Sequence, residues 1–449
     1  MVEHQIEVLV HPEELSRDRS SVLEDERHPL VEGLFQSVRR AGRHREQKWG
    51  GFLNLSRNAA GQSDIPAPLP HESMPGATSS PKGPGDVLVG STRISYVGGE
   101  EGTLVYRGFD VRELVPGTPY ESLVHLLLFG DPPSEDPSRR VCAALEEARR
   151  LPPALRAAVD ALPPGRPPLE AMHTLLSMMG DGSYGYPPTL EQGYQLIARL
   201  PVIFTRYLRR SRGDTPIDPR PDRGHVANYL AMLHGSDPDP TRVRALEGYF
   251  DLLADHGMNP STFALTIGIS THTDLISAAT AALSVLKGPL HGGAPSRVVD
   301  MLDAIGTPDR AEEYVAEQLA NRRLLYGFGH RVYKVEDPRA VLLHRLARDV
   351  ADPVRLELVE AVERCALDAL QRARPNARIY TNVEYYTAVL LEAVGIPPDC
   401  MTPTFGLART VGWAAHAIEQ AENNRMVRPD VHYEGPASGR TWPRPRGAS

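Results

Sequence analysis

Residues 243–257 read VRALEGYFDLLADHG, and this stretch indicates the fold class. Val243, Leu246, Phe250 and Leu253 recur at three- and four-residue spacing, which places them on one face of an α-helix. Glycine is common just beyond the end of a helix, so the pattern predicts a stop at the His-Gly pair that closes the stretch.

The same helical spacing recurs on both sides of this stretch. A helix is predicted over 269–287, where alanine and serine are frequent, and another over about 408–420. Small side chains let helices approach closely, so 269–287 indicates a buried helix–helix seam or a subunit interface. A short hairpin is expected where 93–97 and 103–106 flank two glycines. Strands and helices do not alternate as a parallel sheet requires, so the predicted fold is mainly α.

The composition is that of an ordinary globular protein, with 41% hydrophobic and 24% charged residues in a chain of 449. A net charge of −8 gives no support for nucleic acid or an anionic membrane surface as a partner. Three scattered cysteines favour reduced thiols over a disulfide framework or a zinc site. No apolar run is long enough to cross a bilayer, and the acidic start is unlike a signal or transit peptide. A cytoplasmic location is therefore expected.

The two ends of the chain differ from its middle. Residues 1–86 form an N-terminal extension that includes a stretch rich in proline, glycine and serine at 66–85, which predicts a flexible linker. The last residues, 435–449, are expected to be a flexible tail.

Three histidines stand at glycine-rich breaks between helical segments. They occur in Asp255-His256-Gly257, in Gly288-Pro289-Leu290-His291-Gly292-Gly293 and in Gly327-Phe328-Gly329-His330. Glycine lets the backbone approach a ligand and leaves the imidazole uncrowded. One such histidine alone is as well explained as an ordinary loop residue, but three together favour a functional site. Phosphate-binding glycine loops, dinucleotide fingerprints and zinc motifs are absent from the sequence.

Three arginines, Arg339, Arg409 and Arg428, lie in apolar or proline-containing surroundings. An arginine in apolar company loses hydration unless an anion or carboxylate pairs with it. The alternatives are a structural ion pair or a clamp for a small dicarboxylate, whose geometry matches the guanidinium fork. Glu384 follows Asn382-Val383, and these residues alone indicate only a first-turn glutamate behind an asparagine N-cap.

Together these stretches resemble the citrate synthase family, over about residues 88–436. The motifs that support the resemblance are Ile94-Ser95-Tyr96 with Tyr106-Arg107-Gly108, GPLHGG at 288–293, GFGHRVYK at 327–334 followed by Asp337-Pro338-Arg339, and FGLARTVGW at 405–413. Their order and spacing in combination are highly specific.

The resemblance implies an almost entirely helical homodimer in which a large and a small domain of each subunit close over the substrates. The large domain is expected at 87–292 and 397–434, and the small domain at 293–396. No metal and no cofactor are implied beyond the coenzyme A thioester, which is a substrate.

The resemblance also implies roles for individual residues. His291 would hydrogen-bond the thioester oxygen, His330 would polarise the carbonyl of a 2-oxo acid, and Glu384 would be the catalytic base. The remaining implied residues are His256, Arg339, Arg409 and Arg428 for the oxo acid, with Arg428 reaching across the dimer, and Leu325, Gly327 and Lys334 for coenzyme A.

The chemistry requires these residue types. A thioester α-carbon is a very weak acid, so a carboxylate must remove the proton while a donor stabilises the enolate oxygen. The chain departs from the family at the base, where it has N-V-E in place of N-V-D. It also has LADHGMN in place of HADHEMN around His256. A displacement of ~1 Å can cost about a hundredfold in rate, so a specialised member with another acyl group or oxo acid is an alternative.

The leading functional hypothesis is an acyl-CoA: 2-oxo acid condensing enzyme that converts acetyl-CoA, oxaloacetate and water to citrate and CoA. A 2-methylcitrate synthase using propionyl-CoA and a lyase cleaving citryl-CoA are alternatives with the same residues. A catalytically lapsed CoA-binding regulator is the alternative of another class, and Glu384 would be the sign of lapse. Retention of all three histidines and all three arginines argues against lapse, and a helical scaffold without activity would leave the arginine clamp unexplained.

Overall fold

The structure is a computed structural model that describes residues 90–435 apart from 116, 289–290 and 293–294, with the backbone alone at 135–138. The described residues all belong to one unit of the chain. The predicted extension and linker lie outside them, as does the predicted tail beyond residue 435. Pro289, Leu290 and Gly293 of the GPLHGG motif also lie outside the described residues.

The described residues are mainly helical, which confirms the predicted fold class. The helices are α1 (Val111–Leu114), α2 (Tyr120–Phe129), α3 (Glu135–Ala148), α4 (Pro153–Ala161), α5 (Pro168–Met178), α6 (Leu190–Ser211), α7 (His225–His234), α8 (Pro240–Leu253), α9 (Pro260–Ser270), α10 (Leu275–Leu286), α11 (Pro295–Ile305), α12 (Ala311–Ala320), α13 (Pro338–Arg348), α14 (Pro353–Ala373), α15 (Val383–Ala393) and α16 (Met401–Glu422). Short 3-10 turns occupy Pro308–Arg310 and Pro398–Cys400. In the described part of the chain no helix is both long and apolar enough to cross a membrane.

A single small sheet is present among the described residues. Strands β1 (Ser95–Gly98), β2 (Thr103–Tyr106) and β3 (Phe109–Asp110) pair antiparallel in chain order. Ser95 pairs with Tyr106 in the register of the first two strands. The predicted hairpin is therefore correct, and the short third strand extends it.

Helix α16 occupies the centre of the fold. Nearly every residue of its first four turns is buried, including Leu407, Val411 and Trp413. A helix that is buried on all sides must be apolar all round, and the sequence of α16 meets this requirement apart from a few polar groups. One of those groups is Arg409, which is 2% exposed. A full positive charge is thus held in the middle of the core.

The apolar residues spaced three and four apart over 243–253 lie in α8. Leu246, Phe250 and Leu253 are buried, as the predicted helical face requires. The helix ends at Leu253, earlier than predicted, because the chain turns there through Asp255 and His256. Gly257 completes the turn with a φ of +57°, a backbone conformation that favours glycine.

The continuous helix predicted over 269–287 is wrong. Helix α9 ends at Ser270, His272 has a φ of +67°, and α10 begins behind Asp274, whose side chain accepts a hydrogen bond from Ser277 N. The predicted close approach of small residues is present between α9 and α10. A Cβ added to Gly268 would lie 3.2 Å from the Cβ of Ala278.

Candidate active site

A cavity of about 990 Å³ opens where α8, α9, α13, α15 and α16 meet. It is lined by six of the residues singled out in the sequence, namely His256, His291, His330, Arg339, Glu384 and Arg409. Apolar side chains, among them Phe263, Val383 and Phe405, line much of the remainder. The cavity therefore combines apolar walls with a few titratable and cationic groups, which is typical of a small-molecule site.

Three helices begin at the cavity with a capping side chain. Asn259 caps α9, Asp337 caps α13 and Asn382 caps α15, and each accepts hydrogen bonds from backbone N–H groups of the first turn. Capping satisfies donors that a buried helix start would otherwise leave unpaired. The caps fix where the first-turn residues lie, including Arg339 on α13 and Glu384 on α15.

The loop that precedes His330 is joined to the segment that precedes Glu384. Gly329 N donates to Tyr380 O at 2.8 Å, Asn382 N donates to Gly327 O at 2.9 Å, and the Asn382 side-chain amide donates to Gly329 O at 3.0 Å. These three bonds hold His330 and Glu384 on the same side of the cavity, although they are distant in sequence.

His330 has a defined hydrogen-bonding pattern. Its Nδ1 accepts from the backbone N–H of Val332 at 3.1 Å and from that of Tyr333 at 2.9 Å. A ring nitrogen that accepts carries no proton, so the neutral ring bears its hydrogen on Nε2. Burial, reinforced by Arg339, lowers the pKa of His330 to about 4, so the ring is neutral near pH 7. His330 is therefore a neutral donor.

His256 lies beside His330, with ring centroids 5.9 Å apart. Its Nε2 is 3.2 Å from the hydroxyl of Tyr333, which is itself 2% exposed. Burial, followed by the charges of Arg339 and Arg409, holds the pKa of His256 well below its usual value. Both imidazoles are thus neutral hydrogen-bonding groups.

His291 contacts a different part of the cavity. Its Nε2 lies 2.9 Å from the hydroxyl of Ser261 in the first turn of α9, and its ring lies against Phe405. Burial, followed by the charge of Arg409, lowers the pKa of His291 to about 4. For Nδ1 of the neutral ring to donate to a ligand, Ser261 must give its one hydroxyl hydrogen to Nε2 rather than to Asn259 Oδ1, which lies 2.8 Å away.

Arg339 is held by the carboxylate that caps its own helix. Its Nε and Nη2 donate to the two oxygens of Asp337 at 3.0 and 2.7 Å, in a buried bidentate pair. Burial disfavours the charge of Arg339, but Asp337 outweighs burial and the pKa of Arg339 lies above its usual value. Arg339 is therefore a fixed cation of the cavity.

Arg409 differs from Arg339 because two nitrogens of its guanidinium have no hydrogen-bond partner. Its Nε and Nη1 are buried without a hydrogen bond, and its charge lies 5.0 Å from the centre of the Phe405 ring. Burial lowers the pKa of Arg409 to about 10, so the group remains charged near pH 7. A buried cation with unused donors is costly unless an anion binds to it.

Glu384 is both a first-turn residue and a cavity residue. Its backbone N–H donates to Asn382 Oδ1 at 3.0 Å, as the sequence alone indicated. Its carboxyl group lines the cavity, where burial raises its pKa to about 7 even though Arg339 acts in the opposite direction. A carboxyl group with this pKa can accept and return a proton near neutrality.

The other predicted site residues lie elsewhere. Leu325 is 4% exposed within the hydrophobic core, and Gly327 lies so close to Tyr385 that a Cβ would be 2.5 Å from its ring. Lys334 is exposed and its Nζ donates to Arg331 O. The side chain of Arg428 is 78% exposed and is not part of the cavity lining. The neighbouring residue Pro429 does line the cavity. The predicted roles of these residues stay predictions.

Sequence reasoning missed the partners that hold the site together. Tyr333, Ser261 and Asp337 contact His256, His291 and Arg339 respectively. Asp337 and Ser261 are recognisable from sequence as residues of a helix start, next to proline, but Tyr333 carries no such signal. Among the described residues no group of three His, Cys, Asp or Glu side chains is placed to hold a metal ion.

Fold and site together define a helical protein whose cavity is lined by two arginines, neutral histidines and a carboxyl group of raised pKa. The sequence profile described as "Citrate synthase, C-terminal domain" matches residues 83–430. The chain belongs to the citrate synthase family, as the resemblance predicted.

The chain is similar to relatives named citrate synthase and to relatives named 2-methylcitrate synthase. The citrate synthase of Deinococcus radiodurans is 35% identical over 364 residues, which cover 79% of this chain and 95% of that protein. The 2-methylcitrate synthase 2 of Corynebacterium glutamicum is 33% identical, with coverage of 79% and 94%.

Solved structures are similar as well. The citrate synthase of Thermotoga maritima matches with a TM-score of 0.72 at 34% identity, covering 81% of this chain and 98% of that one. The citrate synthase of Thermoplasma acidophilum, solved as a ternary complex with carboxymethyl coenzyme A and oxaloacetate, matches with a TM-score of 0.73 at 28% identity, covering 80% and 97%.

Proposed function

We propose that the cavity condenses an acyl-CoA with a 2-oxo dicarboxylate, and that acetyl-CoA, oxaloacetate and water give citrate and CoA. The observation that carries the proposal is the buried guanidinium of Arg409, which has unused donors in a cavity that also holds Arg339. Two cations on the walls suit a ligand with two carboxylates. The similar structure of the Thermoplasma acidophilum citrate synthase contains oxaloacetate and a coenzyme A analogue.

The 2-oxo acid would bind between the arginines and two of the histidines. Arg409 and Arg339 pair with its carboxylates, and His256 supplies a further polar contact. His330 points its Nε2 hydrogen at the carbonyl oxygen, because its Nδ1 is occupied by backbone donors. A neutral donor polarises the carbonyl and stabilises the negative charge that develops on its oxygen.

The acyl-CoA would be activated by Glu384 and His291. Glu384 removes a proton from the α-carbon of the thioester, and His291 donates through Nδ1 to the thioester oxygen as the enolate forms. The pKa of about 7 makes Glu384 a stronger base than an ordinary carboxylate while leaving a large fraction ionised. Ser261 fixes the orientation of His291 from the other ring nitrogen.

The enolate of the acyl-CoA then reacts with the 2-oxo acid. The enolate carbon attacks the carbonyl carbon of the oxo acid, and the C=O π bond breaks as the C–C bond forms. The resulting alkoxide accepts a hydrogen bond from His330 and takes up the proton that Glu384 removed from the α-carbon. Water subsequently cleaves the thioester of the condensed product and releases the CoA thiol. We propose that the large domain (87–292 and 397–434) and the small domain (293–396) close over the substrates, which would exclude water until condensation is complete.

Propionyl-CoA is the second candidate for the acyl donor. One similar relative is a 2-methylcitrate synthase, and apolar side chains such as Phe263 and Phe405 line the cavity. Glu384 is also one methylene longer than the family's aspartate, so the position of the acyl group must differ. A single methylene in a pocket is worth only ~1–3 kcal/mol, so activity with both donors is expected.

The test is release of the CoA thiol from a panel of acyl-CoAs, each with a panel of 2-oxo acids. The proposal predicts release only when both substrates are present, with oxaloacetate preferred over 2-oxo monocarboxylates. Release without any oxo acid would identify a thioesterase instead. Binding of CoA without turnover of any pair would favour the catalytically lapsed regulator.

We further propose that the chain acts as a homodimer and that Arg428 completes the neighbouring subunit's site. The exposed side chain of Arg428 is consistent with a partner outside its own chain. Arg428→Ala and Arg409→Ala should each inactivate, whereas mixed dimers carrying one change in each subunit should regain one intact site. Mixed dimers that regain no activity would show that Arg428 acts within its own subunit.

A further inference from the structure

The β1–β2 hairpin contacts both loops that bear the neighbouring histidines His256 and His330. Its first strand reaches the turn at 255–257 through the side chain of Ser95. Its tip reaches the loop at 330–336 through the backbone of Gly99. The hairpin is far in sequence from both loops, and its only lining contribution to the cavity is Val97.

The contact to the His256 turn is made by two hydroxyl groups of the hairpin, because Tyr106 Oη on β2 donates to Asp255 O at 2.9 Å and Ser95 Oγ on β1 makes the other bonds. Ser95 Oγ accepts from Gly257 N at 3.0 Å and donates to a carboxylate oxygen of Asp255, which also accepts from Gly257 N at 3.0 Å. Asp255 is fully buried, and its second oxygen lies 3.2 Å from His416 Nε2 on α16. Ser95 therefore ties the turn that presents His256 to β1.

The contact to the His330 loop is made by backbone atoms that lie unusually close together. Lys334 N donates to Gly99 O at 2.8 Å. A Cβ added to Gly99 would lie 2.6 Å from Val332 O, which is closer than side-chain carbons come to other atoms. Gly99 has no positive φ, so glycine is required there for space rather than for backbone conformation.

These contacts complete a closed ring of interactions. The hairpin holds the 255–257 turn at one end and the 330–336 loop at the other. The two loops then meet directly, where His256 Nε2 lies 3.2 Å from the hydroxyl of Tyr333. By contrast, His291 contacts Ser261 on α9, and Glu384 is bonded to the Asn382 cap, which meets the His330 loop at Gly329.

We propose that the hairpin is a brace that sets the spacing of His256 and His330, with Ser95 and Gly99 as positioning residues for the 2-oxo acid. The inference rests on the proposed function, because it assigns these two histidines to the oxo acid. Neither residue touches the substrate. The brace acts more strongly on the 2-oxo acid than on the acyl-CoA, because its contacts are made directly with the turn and the loop that carry His256 and His330.

Gly99→Ala is the main test, and its matched control is Gly185→Ala, where an added Cβ meets nothing within 4 Å. The methyl group at residue 99 must displace the Val332 carbonyl by several tenths of an ångström. Since ~1 Å of misplacement costs about a hundredfold, the KM for oxaloacetate should rise roughly tenfold, and the KM for acetyl-CoA should stay within about twofold of the control.

A milder pair tests the other end of the brace. Ser95→Ala removes the hydroxyl, Ser95→Thr keeps it, and Tyr96→Phe is the control on the neighbouring, exposed position of the same strand. Ser95→Ala should raise the KM for oxaloacetate, and Ser95→Thr should restore it. Melting temperatures are measured for every variant, and Ser95→Ala keeps the proposal testable if Gly99→Ala does not fold.

The outcomes separate the brace from the proposed function. Suppose that the wild type releases thiol as proposed. The brace alone would then be overturned if Gly99→Ala and Ser95→Ala behave like their controls, or if they raise the KM for oxaloacetate and the KM for acetyl-CoA equally. If the wild type binds oxaloacetate by calorimetry but releases no thiol, the function fails, and weaker oxaloacetate binding by Gly99→Ala and Ser95→Ala would still support the brace. A wild type that binds no oxaloacetate would overturn both.

Discussion

The two walls of the cavity differ in how far the protein satisfies its own polar groups. The loop wall comprises the 255–257 turn and residues 329–339, and there His330, His256 and Arg339 each have hydrogen-bond partners. The helix wall comprises Ser261, His291, Phe405 and Arg409, and there the guanidinium Nε and Nη1 atoms of Arg409 have none. Arg339 and Arg409 are each 2% exposed, so exposure to solvent does not explain the difference between them.

The difference indicates where geometry is fixed and where binding energy is available. Groups of the loop wall are oriented before a ligand arrives, which is the condition for electrostatic catalysis. Arg409 on the helix wall is buried with two nitrogens that make no hydrogen bond, and a bound carboxylate would accept from them. Changes in the loop wall should therefore affect stability and function, and removal of Arg409 should affect function more than stability.

The largest expected effect on stability is that of Arg339→Ala. The change leaves Asp337, which is 1% exposed, without its bidentate partner. Loss of one partner of a buried pair costs ~3–5 kcal/mol, so the free energy of unfolding in urea should fall by about that amount. Arg348→Ala, on the exposed side of the same helix, is the control, and it should change the free energy of unfolding little. A loss no greater than that of the control would show that the pair does not stabilise the loop wall.

Arg409→Met should separate binding from stability. Loss of a desolvated charge partner should weaken oxaloacetate binding by ~2–5 kcal/mol, measured by calorimetry. The free energy of unfolding should change much less than in Arg339→Ala, because Nε and Nη1 of Arg409 make no hydrogen bonds and only the charge interaction with buried Asp255 is lost. Destabilisation as large as that of Arg339→Ala would contradict the distinction between the walls.

The smallest expected effect is on the pH profile. Because the pKa of Glu384 is raised to about 7, kcat/KM should increase as pH rises through about 7 and then level off. His291 and His330, with pKa values of about 4, stay neutral over this range. The raised pKa of Glu384 has the opposite consequence for folding, since its contribution to stability is lost as pH rises through 7. A profile that is flat from about pH 5 to 8 would exclude Glu384 as the titrating base.

Much of this arrangement was predictable from sequence. Helical periodicity predicted the fold class and α8, and alternation beside glycines predicted the hairpin. Glycine-flanked histidines and arginines in apolar stretches indicated residues that the structure places around one cavity. These signals are local, so they can be read without knowing which segments meet.

The parts that failed have two causes. The break between α9 and α10 has a local signal in Asp274, whose side chain caps α10, but the spacing of apolar residues alone does not reveal it. The hydroxyl of Tyr333 meets His256 only because two loops converge.

The central claim is that Glu384 is the base that removes the α-proton of the thioester. The direct measurement is deuterium uptake from solvent into acetyl-CoA, together with CoA thiol release, for the wild type, Glu384→Gln and the control Glu392→Gln on the same helix. Glu384→Gln should lose both activities while binding CoA and oxaloacetate almost as the wild type does, because the carboxylate acts in the transition state. Near wild-type rates of exchange and thiol release in Glu384→Gln would show that another group is the base and would contradict the mechanism.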